Sequence, residues 1–575
     1  MFHRLIEFNS EKEKEKEFFN ESLIYEFNQI NFFNIPRNPI AYWVSKKFID
    51  IFKNNFSLDN YSFIKQGLAT GDNKKYLRYW FEVDVNNINF SANSRKEFLD
   101  SSKKFCPYKK GGSYRKWYGN QEYIIKFDEK SYEELLSQGN HLPSRNFYFL
   151  ESITWSAIAS ASSFRYYPAG FVFDAKGSSL FFKEDYIKYN YYILGFLNSY
   201  VSEYMLDVLT PNLDYSVGYI SLLPFIINEE YIYHVNSIVL ESITISKNDW
   251  DDYETSWDYL KHPFLNGIEN NLSNKFKKWQ DYKIKQFNLL KNNEEKLNKI
   301  FLKIYDLDIE FKENIKDTSI FKADFIEDVK SFISYSVGCM FGRYSLDYDG
   351  LQFAGGKFDF DKYSKFIPDD DNIIPVLDSE YFEDDIVGRF VEFVKTCFGE
   401  ENLEENLDFI ANALAKNKKP SREKIRDYLL KNFFNDHKKT YKKCPIYWQF
   451  SSGKENGFNC LVYMHRYEPS LVARIRTDYL HKTQKAIEQA IANCDNIINH
   501  SSSNSEITKA TKDKNKLQKQ LKETQEYDEA LAHIANQNIE IDLDDGVKVN
   551  YAKFQNVEVS REGKKSKKIN LLKKL

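Results

Sequence analysis

Three segments within the first 180 residues combine small loop-forming residues with cations, amides and aromatic rings. Segment 1 runs from Lys65 to Asn73 and contains two glycines, which let a backbone approach a partner closely. Its threonine, aspartate and asparagine side chains can hydrogen-bond to base edges or phosphates, so the segment indicates nucleic-acid chemistry. The contact residues predicted in and just after it are Lys65, Gln66, Thr70, Asp72, Asn73, Arg78 and Tyr79.

Segment 2 runs from Pro107 to Tyr118 and alternates four cations with four aromatic rings around a Gly-Gly pair. Cations neutralise phosphates, and aromatic rings stack on bases or hold a cation over their faces. The contact residues predicted here are Lys109, Lys110, Ser113, Arg115, Lys116, Trp117 and Tyr118. Segment 3 extends from Ser152 to Ser179, and its predicted contact residues are Thr154, Trp155, Ser156 and Arg165.

Positive charge is concentrated in the same region of the chain. Residues 61–120 carry 12 Lys and Arg against 5 Asp and Glu, an excess of 7 positive charges, although the whole chain has a net charge of -4. The position of the charges, more than their total, decides whether a protein attracts nucleic acid. One such segment alone is better explained as a structural loop, but three of them in a cationic region favour nucleic-acid binding.

Several of these residues also have a purely structural explanation. Trp80, Trp117 and Trp155 are as readily core aromatics as base-stacking residues, and the sequence leaves both alternatives open. Arg343 and Arg466 further along the chain can bridge to the acidic residues between 369 and 408 and are not counted as DNA contacts.

The three segments need a scaffold that positions them. The pattern of residue types along the chain predicts an α+β protein. Residues 31–228 contain short aromatic and β-branched runs punctuated by Gly, Pro, Ser and Asn, which is typical of a mixed α/β domain with long loops. Its last helix is predicted from Tyr186 to Leu209, with Pro211 ending it. Apolar residues at helical spacing from Phe276 to Ile304 predict a long amphipathic helix.

A length of 575 residues is too great for one core, so several domains are expected. They are a charged leader (1–30), a mixed α/β nucleic-acid-binding domain (31–228), a helical connector (229–320), a mainly helical domain (321–480), an antiparallel helical hairpin (481–540) and a C-terminal tail (541–575). The hairpin is predicted around the loop Ser501 to Asn504, and the basic end of the tail, from Lys564, is predicted to be disordered.

The sequence lacks the signals that identify several other classes of protein. The longest apolar runs fall well short of the roughly 20 residues of a membrane-spanning helix, and the leader lacks the apolar core of a secretory signal. The six cysteines are scattered without the spacing of metal ligands. We therefore expect a cytoplasmic protein with no membrane partner and no bound metal.

Segments 1 and 2, with residues 154–156 and 173–179, resemble successive motifs of the target-recognition domain of the PglX family, the adenine-specific DNA methyltransferases of BREX phage-defence systems. Residues 249–257, 331–344, 448–466, 474–479 and 542–547 are similar to that family's helical portion and its ending. The resemblance covers nearly the whole chain and implies the C-terminal half of such an enzyme. It implies methylation of adenine N6 within a short asymmetric site.

The chain departs from the family in its catalytic motifs. Such enzymes need a Gly-rich turn for S-adenosylmethionine and an (Asn/Asp)-Pro-Pro-(Tyr/Phe) loop for the flipped base. Neither is present, and no two of the 13 prolines are adjacent. No catalytic or cofactor-binding residue is therefore predicted here, and S-adenosylmethionine is expected only in the complete enzyme.

The function predicted from the sequence is DNA target recognition within a site-specific adenine methyltransferase that is either truncated or split between chains. The expected partners are double-stranded DNA, a methyltransferase catalytic half if the enzyme is split, and other BREX defence proteins. The alternative is a stand-alone specificity or scaffold subunit that holds other defence proteins. Co-purification distinguishes them, because a split enzyme should recruit a chain with an Asn-Pro-Pro-Tyr motif and a scaffold need not.

Overall fold

The computed structural model describes residues 1–140, 142–210, 214–307, 318–561 and 564–575, and the chain divides into two compact units. Unit 1 comprises Met1–Leu77, Asn89–Trp250 and Lys283–Lys322. Unit 2 comprises Arg78–Ile88, Asp251–Tyr282 and Ala323–Leu575. Each unit is assembled from three stretches of sequence, whereas the predicted domains were continuous ranges. Both units mix helices with small sheets, which confirms the α+β prediction.

Unit 1 contains a four-stranded antiparallel sheet whose strands lie in the order Ser62–Lys65, Ser179–Phe182, Ser152–Trp155 and Phe164–Tyr167. The register aligns Lys65 with Ser179, Ser179 with Thr154, and Thr154 with Arg165. Residues directly opposite each other share one face of a sheet. The register therefore brings one residue of segment 1 and three of segment 3 into a single row.

A second group of strands in unit 1 carries segment 2. Phe105–Lys109 pairs antiparallel with Tyr123–Lys126 and parallel with Val172–Phe173. Buried Tyr108, Ile125 and Phe173 form part of the apolar core around these strands. Two short strands, Phe2–His3 and Ile24–Tyr25, pair in the predicted leader, and the strand Leu77–Tyr79 crosses from unit 1 into unit 2.

The helices of unit 1 surround these strands. Their bounds are Glu11–Glu17, Lys46–Asn54, Asn73–Tyr76, Arg95–Asp100, Glu129–Leu135, Asn190–Leu197, Tyr200–Leu209, Val217–Ile220 and Ile232–Asp251, the last of which ends one residue into unit 2. The long helix Leu272–Tyr305 confirms the predicted amphipathic connector, and its portion in unit 1 buries Leu290, Leu297 and Phe301 in the larger core of that unit.

The prediction of one helix from Tyr186 to Leu209 was wrong, because the chain breaks at Asn198 and Ser199. The Asn198 side chain accepts the Phe164 N–H at 3.0 Å and donates to the Phe164 carbonyl at 2.9 Å. Ser199 then caps the next helix, as its hydroxyl accepts from the Ser202 N–H. Both residue types favour such caps over helix interiors. Pro211, the predicted stop, lies outside the described residues.

Unit 2 is mainly helical. Its helices include Phe325–Met340, Ile386–Phe398, Leu403–Leu414, Ser421–Lys431, Phe433–Thr440, Leu471–Arg474, His481–His500, Asn504–Ala535 and Val547–Ala552. A π-helical turn, Ile475–Leu480, leads into His481–His500. Ile374–Pro375, Asn459–Tyr463 and Tyr447–Ser451 form a three-stranded antiparallel sheet in that order. No helix in the described part of the chain is both long enough and apolar enough to span a bilayer.

The C-terminal part of unit 2 confirms one prediction and corrects another. His481–His500 and Asn504–Ala535 pack side by side around a three-residue connection, as predicted for the hairpin. The basic tail is not disordered where the structure describes it: Val557–Arg561 and Lys564–Ile569 pair antiparallel. Leu571 and Leu572 are buried, and the Tyr527 hydroxyl donates to the Leu571 carbonyl at 2.6 Å. Because the tail is rich in lysine, its composition did not indicate that Leu571 and Leu572 would be buried.

Candidate nucleic-acid interface

The loop of residues 173–178, which closes segment 3, joins segment 1 by backbone hydrogen bonds. The Leu68 N–H donates to the Phe173 carbonyl at 2.9 Å, and the Ala175 N–H donates to the Leu68 carbonyl at 2.8 Å. Gly67 lies directly against the Phe173 carbonyl, where a Cβ atom would overlap it. The sequence requirement for glycine in segment 1 therefore has a specific cause, the contact with the 173–178 loop.

The same 173–178 loop joins segment 2 and the first strand of segment 3. The Asp174 N–H donates to the Lys109 carbonyl at 2.9 Å, and the Tyr108 hydroxyl donates to the Asp174 carboxylate at 2.9 Å. The Thr154 hydroxyl donates to the Ser178 carbonyl at 2.9 Å. The structure thus brings together all three segments that the sequence singled out.

Ser156 of segment 3 and Asn120, which follows segment 2, hold the tip of segment 2 in place. The tip, residues 110–114, contains Gly111 and Gly112 with φ angles of 88° and 152°. The Ser156 hydroxyl accepts from the Gly112 N–H at 3.1 Å and donates to the Gly112 carbonyl at 3.0 Å. Asn120 donates from its side chain to the Ser113 carbonyl at 2.8 Å. The tip is thus anchored at Gly112 and Ser113, and Tyr114 at its end is 45% exposed.

Lys109 is an interior residue and not a phosphate contact. Its ammonium is 0% exposed, donates to the Ser152 hydroxyl and lies within 6 Å of several rings, including those of Tyr167 and Phe173. Burial lowers the pKa of Lys109 to about 7, and the charge of Glu151 opposes the shift. The prediction that this lysine contacts DNA is corrected, because its side chain is fully buried in this conformation.

Two of the three predicted arginines, Arg115 and Arg165, are also buried inside unit 1. Arg115 forms an ion pair with Asp249 at 2.6 Å, and Asp249 also binds Lys283. Arg165 donates to the Arg115 carbonyl at 3.0 Å and to the Ser156 hydroxyl at 3.3 Å. Burial lowers the pKa of Arg165. Both guanidinium groups hold segments 2 and 3 in place, so their predicted role in direct DNA contact is corrected to a structural one.

Trp80, Trp117 and Trp155 are core aromatic residues, which is the structural alternative that the sequence left open. Trp117 donates from its indole to the Glu294 carboxylate at 2.8 Å, and Trp155 donates to the Tyr215 carbonyl at 2.7 Å. In unit 2, Trp80 donates to the Thr255 carbonyl at 2.8 Å. All three are at most 2% exposed, so none presents a ring face for a base. Four more of the predicted contact residues are also buried, and we assign them a role in supporting the site: Thr70, Tyr118, Thr154 and Ser156.

Segment 1 presents polar side chains on a preformed turn. Asp72 accepts from the Lys74 and Lys75 N–H groups at 3.0 and 3.1 Å, which caps the short helix Asn73–Tyr76. The Thr70 hydroxyl donates to the Asn73 side chain at 2.5 Å. Gln66, Asp72 and Asn73 are exposed. Arg78 and Tyr79 belong instead to unit 2, where Arg78 donates to the Asp544 carbonyl at 3.2 Å.

Lys176 is a candidate that the sequence analysis missed. It lies in the 173–178 loop, where its N–H donates to Asp174 at 2.7 Å and its carbonyl accepts from the Ala157 N–H at 3.0 Å. Its side chain is exposed and, within the described residues, makes no ion pair. A lysine between an aspartate and a glycine in segment 3 was the available signal.

The candidate interface of unit 1 therefore contains fewer of the predicted residues, and it includes two residues that were not predicted. It consists of Lys65, Gln66, Asp72, Asn73, Lys110, Ser113 and Lys116 from the prediction, together with Tyr114 and Lys176. Lys110 and Lys116 are half-buried, and each has a partner: Lys110 pairs with Asp174 at 3.6 Å, and Lys116 donates to the Asn198 carbonyl at 3.2 Å. Contact of these residues with DNA stays a prediction.

An acidic group lies in unit 2. The carboxylates of Asp369, Asp370 and Asp371 lie within 4.8 Å of one another, and burial, followed by the charge of Asp371, raises the pKa of Asp369. Arg466 donates to the Asp369 and Asp370 carbonyls at 2.7 and 3.0 Å. This arginine therefore bridges to the acidic region, in agreement with the structural explanation given for it above.

In sequence the chain is similar to proteins of one class, the adenine-specific methyltransferases. The adenine-specific methyltransferase PglX of Lacticaseibacillus casei (strain Zhang) is 40% identical over 581 residues, which covers 96% of this chain and 48% of that protein. The adenine-specific methyltransferase BrxX of Escherichia coli O9:H4 (strain HS) is 36% identical over 586 residues, which covers 96% of this chain and 47% of that protein.

The similarity supports the predicted resemblance to the PglX family along almost the whole chain. The chain spans about half the length of these curated relatives, and which half it matches stays a prediction. No protein-family model matches the chain.

Proposed function

We propose that this chain recognises DNA targets as part of an adenine-specific DNA methyltransferase that acts in BREX phage defence. The observation that carries the proposal is the convergence of segments 1, 2 and 3 on the 173–178 loop of unit 1. Similarity to PglX and BrxX supports the class of enzyme. S-adenosylmethionine and the methyl transfer itself belong, in this proposal, to the half of the relatives' length that this chain does not span.

The exposed side chains suit two different tasks in DNA recognition. The ammonium group of Lys176 provides a point charge for the phosphate backbone, which fixes position without reading sequence. Gln66 and Asn73 carry amides, which pair with the N6 and N7 edge of adenine in the major groove. Tyr114, at the anchored tip of segment 2, offers a half-exposed ring.

Three further residues, two of them buried and one exposed, contribute by holding these groups in place. Ser156 and Asn120 fix the tip of segment 2, and Asp72 fixes the turn of segment 1. Recognition needs such preorganisation, because contacts to base edges require side chains held within a fraction of an ångström. The partners expected for the complete system are double-stranded DNA, the methyltransferase catalytic half if it is a separate chain, and other BREX proteins.

Selection from a pool of randomised duplexes tests the proposal. The purified 575-residue chain is incubated with the pool, and bound duplexes are sequenced after several rounds. We expect enrichment of a short asymmetric site that contains adenine, and weaker enrichment with Asn73→Ala, whereas the control Lys96→Ala selects the same site. Salt-dependent binding with no enriched sequence would refute target recognition and favour a scaffold that merely tolerates DNA.

A further inference from the structure

Unit 2 contains an open groove of about 980 Å³ whose walls are rich in lysine. One wall is the helix Asn504–Ala535, which contributes Lys519 and Lys522. The C-terminal strand and the residues after it contribute Lys568 and Lys574, and the loop after the strand Tyr447–Ser451 closes one end. Of the described residues, eight lysines and three glutamates line the groove, which gives these residues an excess of five positive charges.

All three glutamates are engaged within the protein. Glu523 accepts from the Ser452 hydroxyl at 2.7 Å, the Glu455 N–H at 2.8 Å and the Gly457 N–H at 3.1 Å. Glu455 lies 3.7 Å from the ammonium of Lys454, and Glu526 pairs with Lys567. These contacts hold the carboxylates against the loop and the strand, and their three charges are already included in the excess of five.

Four of the groove lysines are not held in an ion pair by a carboxylate of the described residues. In the residues that the structure describes, Lys519, Lys522, Lys568 and Lys574 form no ion pair with a carboxylate. Lys573 beside them is half-buried, and its pKa is lowered by burial and by the positive charge of Lys438. Uncompensated cations on facing walls repel one another, and an anionic ligand between them would relieve that repulsion.

We propose that this lysine groove binds the phosphate backbone of double-stranded DNA without reading its sequence. Among the residues that the structure describes, the groove is lined by no arginine and so by no planar fork that recognises one phosphate or carboxylate in a fixed geometry. Lysines on flexible stems act as point charges, which suits a long polyanion whose phosphates need not occupy fixed positions.

The backbone of the groove argues against a small phosphate ligand. Compact phosphate sites use a concave set of backbone N–H groups. The N–H groups of Glu455, in the groove lining, and of Gly457, two residues further along the chain, already donate to the Glu523 carboxylate. Because that carboxylate already accepts from both N–H groups, they are not available to hold an isolated phosphate, and the ammonium groups along the groove are the cationic groups that a ligand can bind.

This site is separate in sequence from the candidate interface of unit 1, and the proposal goes beyond the proposed function. Target recognition concerns the ratio of affinities for selected and scrambled duplexes. The groove concerns the salt dependence of binding to any duplex. The two proposals can therefore fail independently in one set of measurements.

The test compares two triple variants of the full chain. Lys519→Gln, Lys522→Gln and Lys568→Gln together remove three groove cations. Lys357→Gln, Lys416→Gln and Lys418→Gln remove three exposed cations elsewhere in unit 2. Binding of a scrambled 30-base-pair duplex is followed by fluorescence anisotropy over a range of salt concentrations.

We expect the groove variant to lower the log-log salt slope by about two to three, since each lost phosphate contact lowers it by roughly one. Its affinity at low salt should fall by about tenfold or more. The control triple variant should keep the wild-type slope. A groove variant that binds the scrambled duplex with the wild-type slope would overturn the proposal.

Protection of lysines in the unaltered chain provides a second measurement that does not depend on variants. The chain is treated with an amine-acetylating reagent with and without the scrambled duplex, and modified lysines are quantified by mass spectrometry. DNA should reduce acetylation of Lys519, Lys522 and Lys568 at least threefold and leave Lys416 and Lys418 unchanged. Equal acetylation of the groove lysines in both samples would also overturn the proposal.

Discussion

Ser156 binds both backbone polar groups of Gly112, since its hydroxyl accepts from the Gly112 N–H at 3.1 Å and donates to the Gly112 carbonyl at 3.0 Å. One residue of the glycine pair of segment 2 is thereby bonded at both of its backbone polar groups. Gly111 and Gly112 adopt positive φ angles of 88° and 152°, which glycine reaches without the strain of a Cβ atom.

Replacing Ser156 by alanine should release the tip of segment 2. The change removes both hydrogen bonds to Gly112 and leaves buried polar groups unsatisfied, so we expect a loss of about 1–3 kcal/mol in the free energy of unfolding. Hydrogen exchange of the amides of residues 110–114 should accelerate. Ser113→Ala, in the same tip but exposed, is the control. Unchanged exchange in Ser156→Ala would show that other contacts hold the turn.

Lys176 and Lys109 should differ in their effect on DNA binding. Lys176→Met removes an exposed charge and should lower the log-log salt slope by about one for cognate and scrambled duplexes alike. Lys109→Met removes a buried ammonium and should leave the slope unchanged. Salt-titrated anisotropy with both duplexes measures the difference. Equal slopes for Lys176→Met and the wild-type chain would exclude Lys176 from the phosphate contacts.

Lys109→Met should instead alter stability in a pH-dependent way. The pKa of Lys109 is lowered to about 7 in the folded chain, whereas an unfolded lysine has a pKa of about 10.4. The unfolded state therefore binds the extra proton first, and this lysine reduces stability progressively as the pH falls from about 10.4 to about 7.

The variant should consequently unfold at a higher urea concentration than the wild-type chain at pH 7.5, and the gap should narrow towards pH 10. Urea unfolding followed by tryptophan fluorescence at several pH values measures this. Lys96→Met, an exposed lysine in the same unit, should show no such pH-dependent gap. A gap that is constant with pH would mean that packing, and not the titration of Lys109, causes it.

The sequence singled out three segments that the structure joins, but it did not show which of their side chains are buried. Glycines, cations and aromatics marked segments 1 to 3, and the structure joins all three at the 173–178 loop. Composition does not show whether a side chain points into the core or towards solvent. Lys109, in a strand, is buried, whereas Lys110 next to it is half-exposed. Arg115 is buried because Asp249, 134 residues away, supplies its counter-charge. Such pairings depend on tertiary structure and leave no local signal.

Helix prediction failed for a related reason. Apolar periodicity continues across Asn198 and Ser199, so the pattern predicts one helix where the chain forms two. The break depends on the hydrogen bonds between Asn198 and the Phe164 backbone. The periodicity of the connector and of the hairpin was sufficient because their apolar faces pack over long, uninterrupted lengths.

Gln66 and Asn73 should determine discrimination between DNA sequences. Both are exposed amides on the turn of segment 1, and loss of a bidentate contact to a base costs about 1–3 kcal/mol of discrimination. In Gln66→Ala or Asn73→Ala, affinity for the selected duplex should therefore fall towards that for a scrambled duplex, with little change in salt slope. Competition between the two duplexes measures the ratio. An unchanged ratio in both variants would move base recognition elsewhere in the chain.

Three buried histidines should make unit 2 sensitive to acid. Burial lowers the pKa of His262, His437 and His465 to about 3. Unfolded histidine has a pKa of about 6.5, so the unfolded chain binds protons first as the pH falls. Stability contributed by neutral histidines is therefore complete above about pH 6.5 and declines steadily towards pH 3.

His437 is the most informative of the three, because its Nε2 accepts from the N–H groups of Ile446 and Tyr447 at 3.1 and 3.0 Å. His437→Gln offers an amide oxygen as a substitute acceptor but cannot titrate. It should reduce the loss of unfolding free energy between pH 7 and pH 5, measured by urea unfolding, by roughly one third, since two other buried histidines remain. His500→Gln, an exposed residue of the same unit, should retain the full loss. A wild-type chain that is equally stable at pH 7 and pH 5 would contradict the neutral, buried state of these histidines.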